Sequence, residues 1–144
     1  MTACRLTTAA VILVLGAMIA VAGPARAADG RIGVELNKLE PLAGACRAYL
    51  VLTNKAGMAF RDLKLDLVIF DTDGIVARRV AVQGGPIPDG KTSLKVFDID
   101  GVQCAKISRF LLNGVMTCAA QDGKPGDCAG LIDTTSRAAA PFIK

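Results

Sequence analysis

The stretch "LKLDLVIFDTDGIVARRVAV", Leu63 to Val82, decides the fold class. Leu63, Leu65, Leu67 and Ile69 alternate with Lys64, Asp66 and Val68, and a period of two places one set on a core and the other toward solvent. Antiparallel sheets show this alternation, whereas strands of a parallel α/β sheet are usually apolar on both faces. The run ends in Asp71-Thr72-Asp73-Gly74. An Asp in such a turn accepts hydrogen bonds from backbone N–H groups two residues on, and Gly takes the left-handed position. Ile75 to Val82 returns at once as a second strand, so Asp71–Gly74 reads as a hairpin connection.

The same periodicity extends outward. "CRAYLVLTN" places Cys46, Ala48, Leu50 and Leu52 on one face and Arg47, Tyr49 and Thr53 on the other, with Val51 among them. Ile32 to Glu40, Thr92 to Ile99 and Phe110 to Ala119 read as further strands, and "AKISRF" before the last could form a helical turn. Asn54 and Gly57 tolerate positive φ and mark one turn; "GGPIPDGK", Gly84 to Lys91, marks a loop that no regular element crosses. Phe70 and Phe97 are expected to anchor strand ends, and Lys91 and Lys95 to sit on a solvated polar face. Residues 133–144 read as a short helix or an irregular tail. Short strands with frequent turn signals indicate an all-β fold, an antiparallel sandwich.

The N-terminus carries a compartment signal. After Arg5 comes the apolar segment Ala9 to Gly23, then Pro24-Ala25-Arg26-Ala27. A positive start, an apolar core and small residues before the cut make a secretory signal peptide, with cleavage expected between Ala27 and Ala28. The apolar segment is short for a membrane span of about 20 residues, so no stable membrane insertion is expected after cleavage. Removing residues 1–27 from the 144 leaves 117, the size of one domain over residues 28–144. Arg5 and Arg26 leave with the leader, so 15 of the 17 basic residues face 13 acidic ones. Scattered basic residues and a small net charge argue against nucleic acid as a partner.

Of five cysteines, Cys4 departs with the leader; Cys46, Cys104, Cys118 and Cys128 remain. An even count in an exported domain implies two disulfides with three possible connectivities. "QDGKPGD" between Cys118 and Cys128 is a natural chain reversal, which favours Cys118–Cys128 and leaves Cys46–Cys104. The chain has no His, which excludes His-based triads, and the wide Cys spacings do not suit zinc.

Three family resemblances follow. The order of strand, Asn-x-x-Gly turn, alternating strand ending in "FDTDG", strand, Pro-x-Gly-x-Thr turn and strand, roughly Ala45 to Asp100, resembles the immunoglobulin-like sandwiches of bacterial envelope proteins, including the FxLYD type. The whole chain is similar to a family of small exported proteobacterial proteins. Separately, "LVIFDTDG" resembles the first motif of the haloacid-dehalogenase-type phosphotransferases. That resemblance would imply Asp71 as nucleophile, Asp73 as general acid and Mg²⁺ beside them. The fold of those enzymes needs a parallel strand followed by a crossover helix, and here a strand follows immediately. A shorter echo, "VFDIDG", ends at Asp98, Asp100 and Gly101. Asp71, Asp73, Asp98 and Asp100 could together hold Ca²⁺ from the turns Asp71–Gly74 and Asp98–Gly101, since hard cations prefer oxygen ligands, although neither turn completes an EF-hand loop.

The expectation is therefore a non-enzymatic, cofactor-free module, periplasmic or secreted, that binds another envelope protein. Its contact surface would be an exposed sheet edge or an apolar loop cluster of Met58, Phe60 and Ile87. Met58 is read as either such a contact or a core plug.

Overall fold

A computed structural model of the chain describes residues 30–122 and 127–144. The expected leader and its expected cleavage position, between Ala27 and Ala28, lie outside the described residues. Eight strands form two four-stranded sheets: β1 (Arg31–Leu42), β2 (Ala45–Lys55), β3 (Phe60–Asp71), β4 (Val76–Gln83), β5 (Thr92–Asp100), β6 (Ile107–Ala120), β7 (Ile132–Ser136) and β8 (Phe142–Ile143). Their orders are β5-β2-β1-β7 and β4-β3-β6-β8. This is an immunoglobulin-like β-sandwich, and no described helix is long and apolar enough to cross a membrane.

The alternation of β3 does what the sequence requires. Leu63, Leu65, Leu67 and Ile69 are fully buried, and they meet Ile32, Val34 and Leu36 of β1 and Ala48, Leu50 and Leu52 of β2 in one apolar cluster. Strand β3 pairs antiparallel with β4 on one side and β6 on the other, so its backbone is satisfied along both edges. The hairpin forms as read. Asp71 N–H donates to the Ile75 carbonyl at 2.8 Å and Gly74 N–H to the Asp71 carbonyl at 3.1 Å, with Gly74 at φ +80°.

Two disulfides staple the sandwich, Cys46–Cys104 and Cys118–Cys128. The first joins β2 to the 3-10 turn Cys104–Lys106 that leads into β6, and so crosses between the sheets. Closing loops of 58 and 10 residues would restrict the unfolded chain by about 4 and about 3 kcal/mol.

Several elements differ from the sequence reading. The first strand runs from Arg31 to Leu42, longer than Ile32 to Glu40, and β6 begins at Ile107, directly after its 3-10 turn. Residues 133–144 are neither helix nor irregular throughout: β7 pairs parallel with β1 and β8 parallel with β6. Both sheets are therefore mixed. The cause is geometric, since the chain must add to the far edge of each sheet in turn, and five- and two-residue strands are too short to show a period.

Asn54 is a strand residue, not a positive-φ turn residue; among the described residues only glycines have positive φ, Gly57 at +76° serving this turn. Its fully buried side chain donates to the carbonyls of Met58, Ile87 and Pro88 at 2.8, 3.2 and 3.1 Å and accepts from Ala56 N–H at 3.0 Å. One amide thus holds two loops. Ile87 bridges to Phe60, and both are buried while Met58 is 49% exposed. The expected loop cluster therefore does not exist as a surface, and Met58 is no core plug. Gly85 makes the close approach that seats this loop: a Cβ there would lie 2.6 Å from the Leu63 nitrogen.

Asn54→Ala removes the side-chain donor from the Met58, Ile87 and Pro88 carbonyls, of which the last two keep a backbone N–H from Phe60 and Lys91, and leaves Ala56 N–H without its acceptor. Stability should fall by about 3 kcal/mol, read as a lower urea midpoint at unchanged slope.

Candidate functional site

The acidic turns come first, because the sequence singles them out. Asp71 and Asp73 sit in the β3–β4 hairpin, and the Asp71 carboxylate accepts from Asp73 N–H at 3.0 Å and Ile75 N–H at 2.8 Å. It is spent on shaping its own turn. The echo is not a hairpin at all. Gly101 N–H donates to the Gly44 carbonyl at 2.9 Å, and the chain then crosses to the other sheet through the turn tied down by Cys104. Asp98 is engaged by Arg47 in a two-point pair at 2.7 and 3.0 Å, and the guanidinium holds its carboxyl below the usual range. Arg78 of β4 reaches across the open side of the sandwich to the Asp100 carbonyl at 2.5 Å.

The structure thus places guanidinium groups at Asp98 and at the Asp100 carbonyl. Among the described residues no three His, Cys, Asp or Glu gather so as to hold a metal ion. The phosphotransferase arrangement also lacks its scaffold: both neighbours of β3 run antiparallel to it, and the chain returns after Gly74 as β4 with no crossover helix.

A titratable group displaced by its surroundings is a natural place to look for chemistry. Asp66 is the one buried charged residue among those described, on the outer face of β3 at 5% exposure. Arg79 grips it through two hydrogen bonds of 2.8 Å and Asn113 donates a third at 2.6 Å. Arg79 first, and Asn113 after it, hold the carboxyl below its ordinary value against the opposing cost of burial. Both partners belong to neighbouring strands, so the cluster ties β4, β3 and β6 together and offers no free base or nucleophile. Nearby, the guanidinium of Arg109 lies over the Phe70 ring at 4.2 Å; Phe70 thus anchors a sheet face, and Phe97 packs against the core.

A shallow groove of about 510 Å³ is lined by Arg31, Gly33, Thr53, Lys55 and Asp133. Arg31 and Asp133 close on each other across it in a two-point ion pair, so it presents no unpaired acid–base couple.

The surface that stands out is the free edge of β5. Among the described residues that strand pairs only with β2. In an antiparallel ladder alternate residues bond the neighbour, and two bonds fix the phase: Gly101 N–H to Gly44 and Asn54 N–H to the Lys91 carbonyl, at 2.9 Å each. Odd-numbered residues of β5 therefore bond β2, and the N–H and C=O groups of Thr92, Leu94, Val96 and Asp98 point off the edge. Leu94 and Val96 are 57% and 47% exposed, beside Val51 and Tyr49 of β2. Tyr49 donates its hydroxyl to Glu40 at 2.7 Å and lies under the Lys38 ammonium. The apolar pair thus sits outside and Lys95 shares the opposite face with Phe97 and Ile99, reversing the expected polar face. Spacing alone shows that Leu94 and Val96 share a side; which side is outermost follows only from the pairing with β2.

No protein-family model matches the sequence, and no curated protein matches it. Among solved structures, IrmA from Escherichia coli is similar in fold: TM-score 0.54 at 13% identity, covering 72% of this chain and 90% of that one. The likeness is one of all-β architecture. It leaves the finer affiliation with FxLYD-type proteins unsupported by any matching family.

Because the Asp66 carboxyl is depressed in the folded state, its stabilising effect is present above the unfolded value of about 3.9 and is lost as pH falls through the lower folded one. Acid titration of thermal stability should show a shallower loss below about pH 4 in Asp66→Asn than in the parent.

Proposed function

We propose that the protein is an exported, non-enzymatic recognition module of the bacterial envelope, periplasmic or secreted, which binds another protein through the β5 edge of its sandwich. The observation that carries this reading is the uncovered β5 ladder with Leu94 and Val96 exposed beside it. Natural sheets usually blunt long edges with charge, brevity or a covering segment; the other three edges do so by charge or brevity, and β5 carries Lys95 as such a charge but is long and apolar beside it. Strand β4 carries Arg78 and Arg79, and β7 and β8 span five and two residues. Strand β5 has nine residues and keeps branched apolar side chains where solvent would favour polar ones.

The export part of the reading is supported by the signal-peptide pattern before Ala28 and by two disulfides, which persist in oxidising compartments. Sandwich folds serve many unrelated roles, so the assignment rests on this edge and not on the fold. Of the carboxylates that could have suggested catalysis, Asp71 holds backbone N–H groups of its own turn and Asp98 is paired with Arg47.

Benzoylphenylalanine placed at position 94 in cells should give a discrete cross-linked adduct with an envelope protein. The same probe at exposed Thr135 on the opposite edge should give none. Equal labelling at both positions, or none at either, would remove the edge as the recognition surface.

A further inference from the structure

We infer that the β5 edge takes an extended segment of its partner as an added antiparallel strand, and that this segment carries an acidic residue between two apolar ones. The inference rests on the recognition reading and specifies the chemistry of its partner. The open ladder is bounded at both ends. At one end the Lys91 carbonyl is taken by Asn54 N–H at 2.9 Å and Lys91 N–H by the Pro88 carbonyl at 3.2 Å. At the other end the Asp100 carbonyl accepts from Arg78. Between them Thr92, Leu94, Val96 and Asp98 leave four N–H and four C=O groups for a new neighbour. A segment of about seven residues, on the order of 23 Å long, matches that span.

Strand addition supplies affinity through main-chain hydrogen bonds and selectivity through alternate side chains. Residues opposite Leu94 and Val96 would lie on the same exposed face as those two side chains and gain by being apolar. The residue between them lies opposite Lys95. Among the described residues no carboxylate meets the Lys95 ammonium, so an Asp or Glu at that place completes a cross-strand pair, where opposite charges stabilise and like charges oppose.

The same charge argues against a second copy of this chain as the occupant. In the self-pairing that best matches apolar side chains, Leu94 faces Val96 of the other copy, and Lys95 then lies directly opposite Lys95. Moving the twofold axis to Val96 relieves that clash but sets Leu94 against Asp98, already held by Arg47. The edge resists itself and favours an acidic strand.

The test uses two acetylated, amidated peptides, Thr-Ser-Val-Glu-Val-Ser-Thr and the same sequence with Lys for Glu, added to the disulfide-bonded protein and followed by amide hydrogen exchange. The glutamate peptide should slow exchange at Leu94 and Val96 and bind about fivefold more tightly than the lysine peptide. Lys95→Glu should reverse that order; because Lys95 is half-buried beside Leu50, an unchanged urea midpoint of the variant is checked alongside. Equal binding of the two peptides with no effect of Lys95→Glu overturns the acidic partner. Protection of Leu94 and Val96 without peptide, with a doubled mass in solution, overturns it in favour of a second copy. No protection with either peptide, while the position-94 cross-link persists, overturns strand addition and leaves the recognition reading standing.

Discussion

Four side chains of β3, Leu63, Leu65, Leu67 and Ile69, are sealed from solvent while the strand is hydrogen-bonded along both edges, and this double commitment sets the rest. A one-residue slip would turn all four outward and would pull Asp66 away from Arg79 and Asn113 into the apolar layer. The register is therefore held from both faces: by burial on the inside and by a charged network on the outside. Strand β4 follows from the hairpin, and β6 is held against β3 from Phe60 to Asp71 through four register shifts. The disulfide from Cys46 to Cys104 then fixes that sheet against the other at the point where the chain crosses over.

The middle of the chain was legible for a physical reason. A strand between two neighbours, with one face on a core, writes its alternation directly into the sequence, as β2 and β3 do. The turn at Asp71–Gly74 was legible because the left-handed position and the backbone-binding carboxylate are local demands. What escaped depended on long-range contacts. Strands β7 and β8 exist because β1 and β6 offer edges to them, not because residues 132–143 favour extended structure. Asn54 looked like a turn former, yet it is a buried amide satisfying carbonyls more than thirty residues away. Met58 and Ile87 are both apolar loop residues, and only the bridge to Phe60 decides that one is buried and the other exposed.

The acidic turns show how little a short motif fixes by itself. "FDTDG" and "FDIDG" differ at one position, yet the first closes a hairpin and the second leaves one sheet for the other. The carboxylate of Asp71 went to backbone N–H groups and that of Asp98 to Arg47. The candidate surface was illegible for the opposite reason: Leu94 and Val96 resemble core residues in sequence, and the pairing with β2 is what turns their side of β5 outward. The fold and the functional proposal therefore meet in one claim, that β5 is paired on one side and open on the other.

Amide hydrogen exchange along β5 in the free protein tests that claim most directly. The account predicts alternation: slow exchange at Ser93, Lys95, Phe97 and Ile99, which bond β2, and fast exchange at Leu94, Val96 and Asp98. Uniform protection along the strand would mean that the edge is already covered. Protection of the even-numbered residues in place of the odd would mean that the ladder has the other phase, and either result would contradict the account.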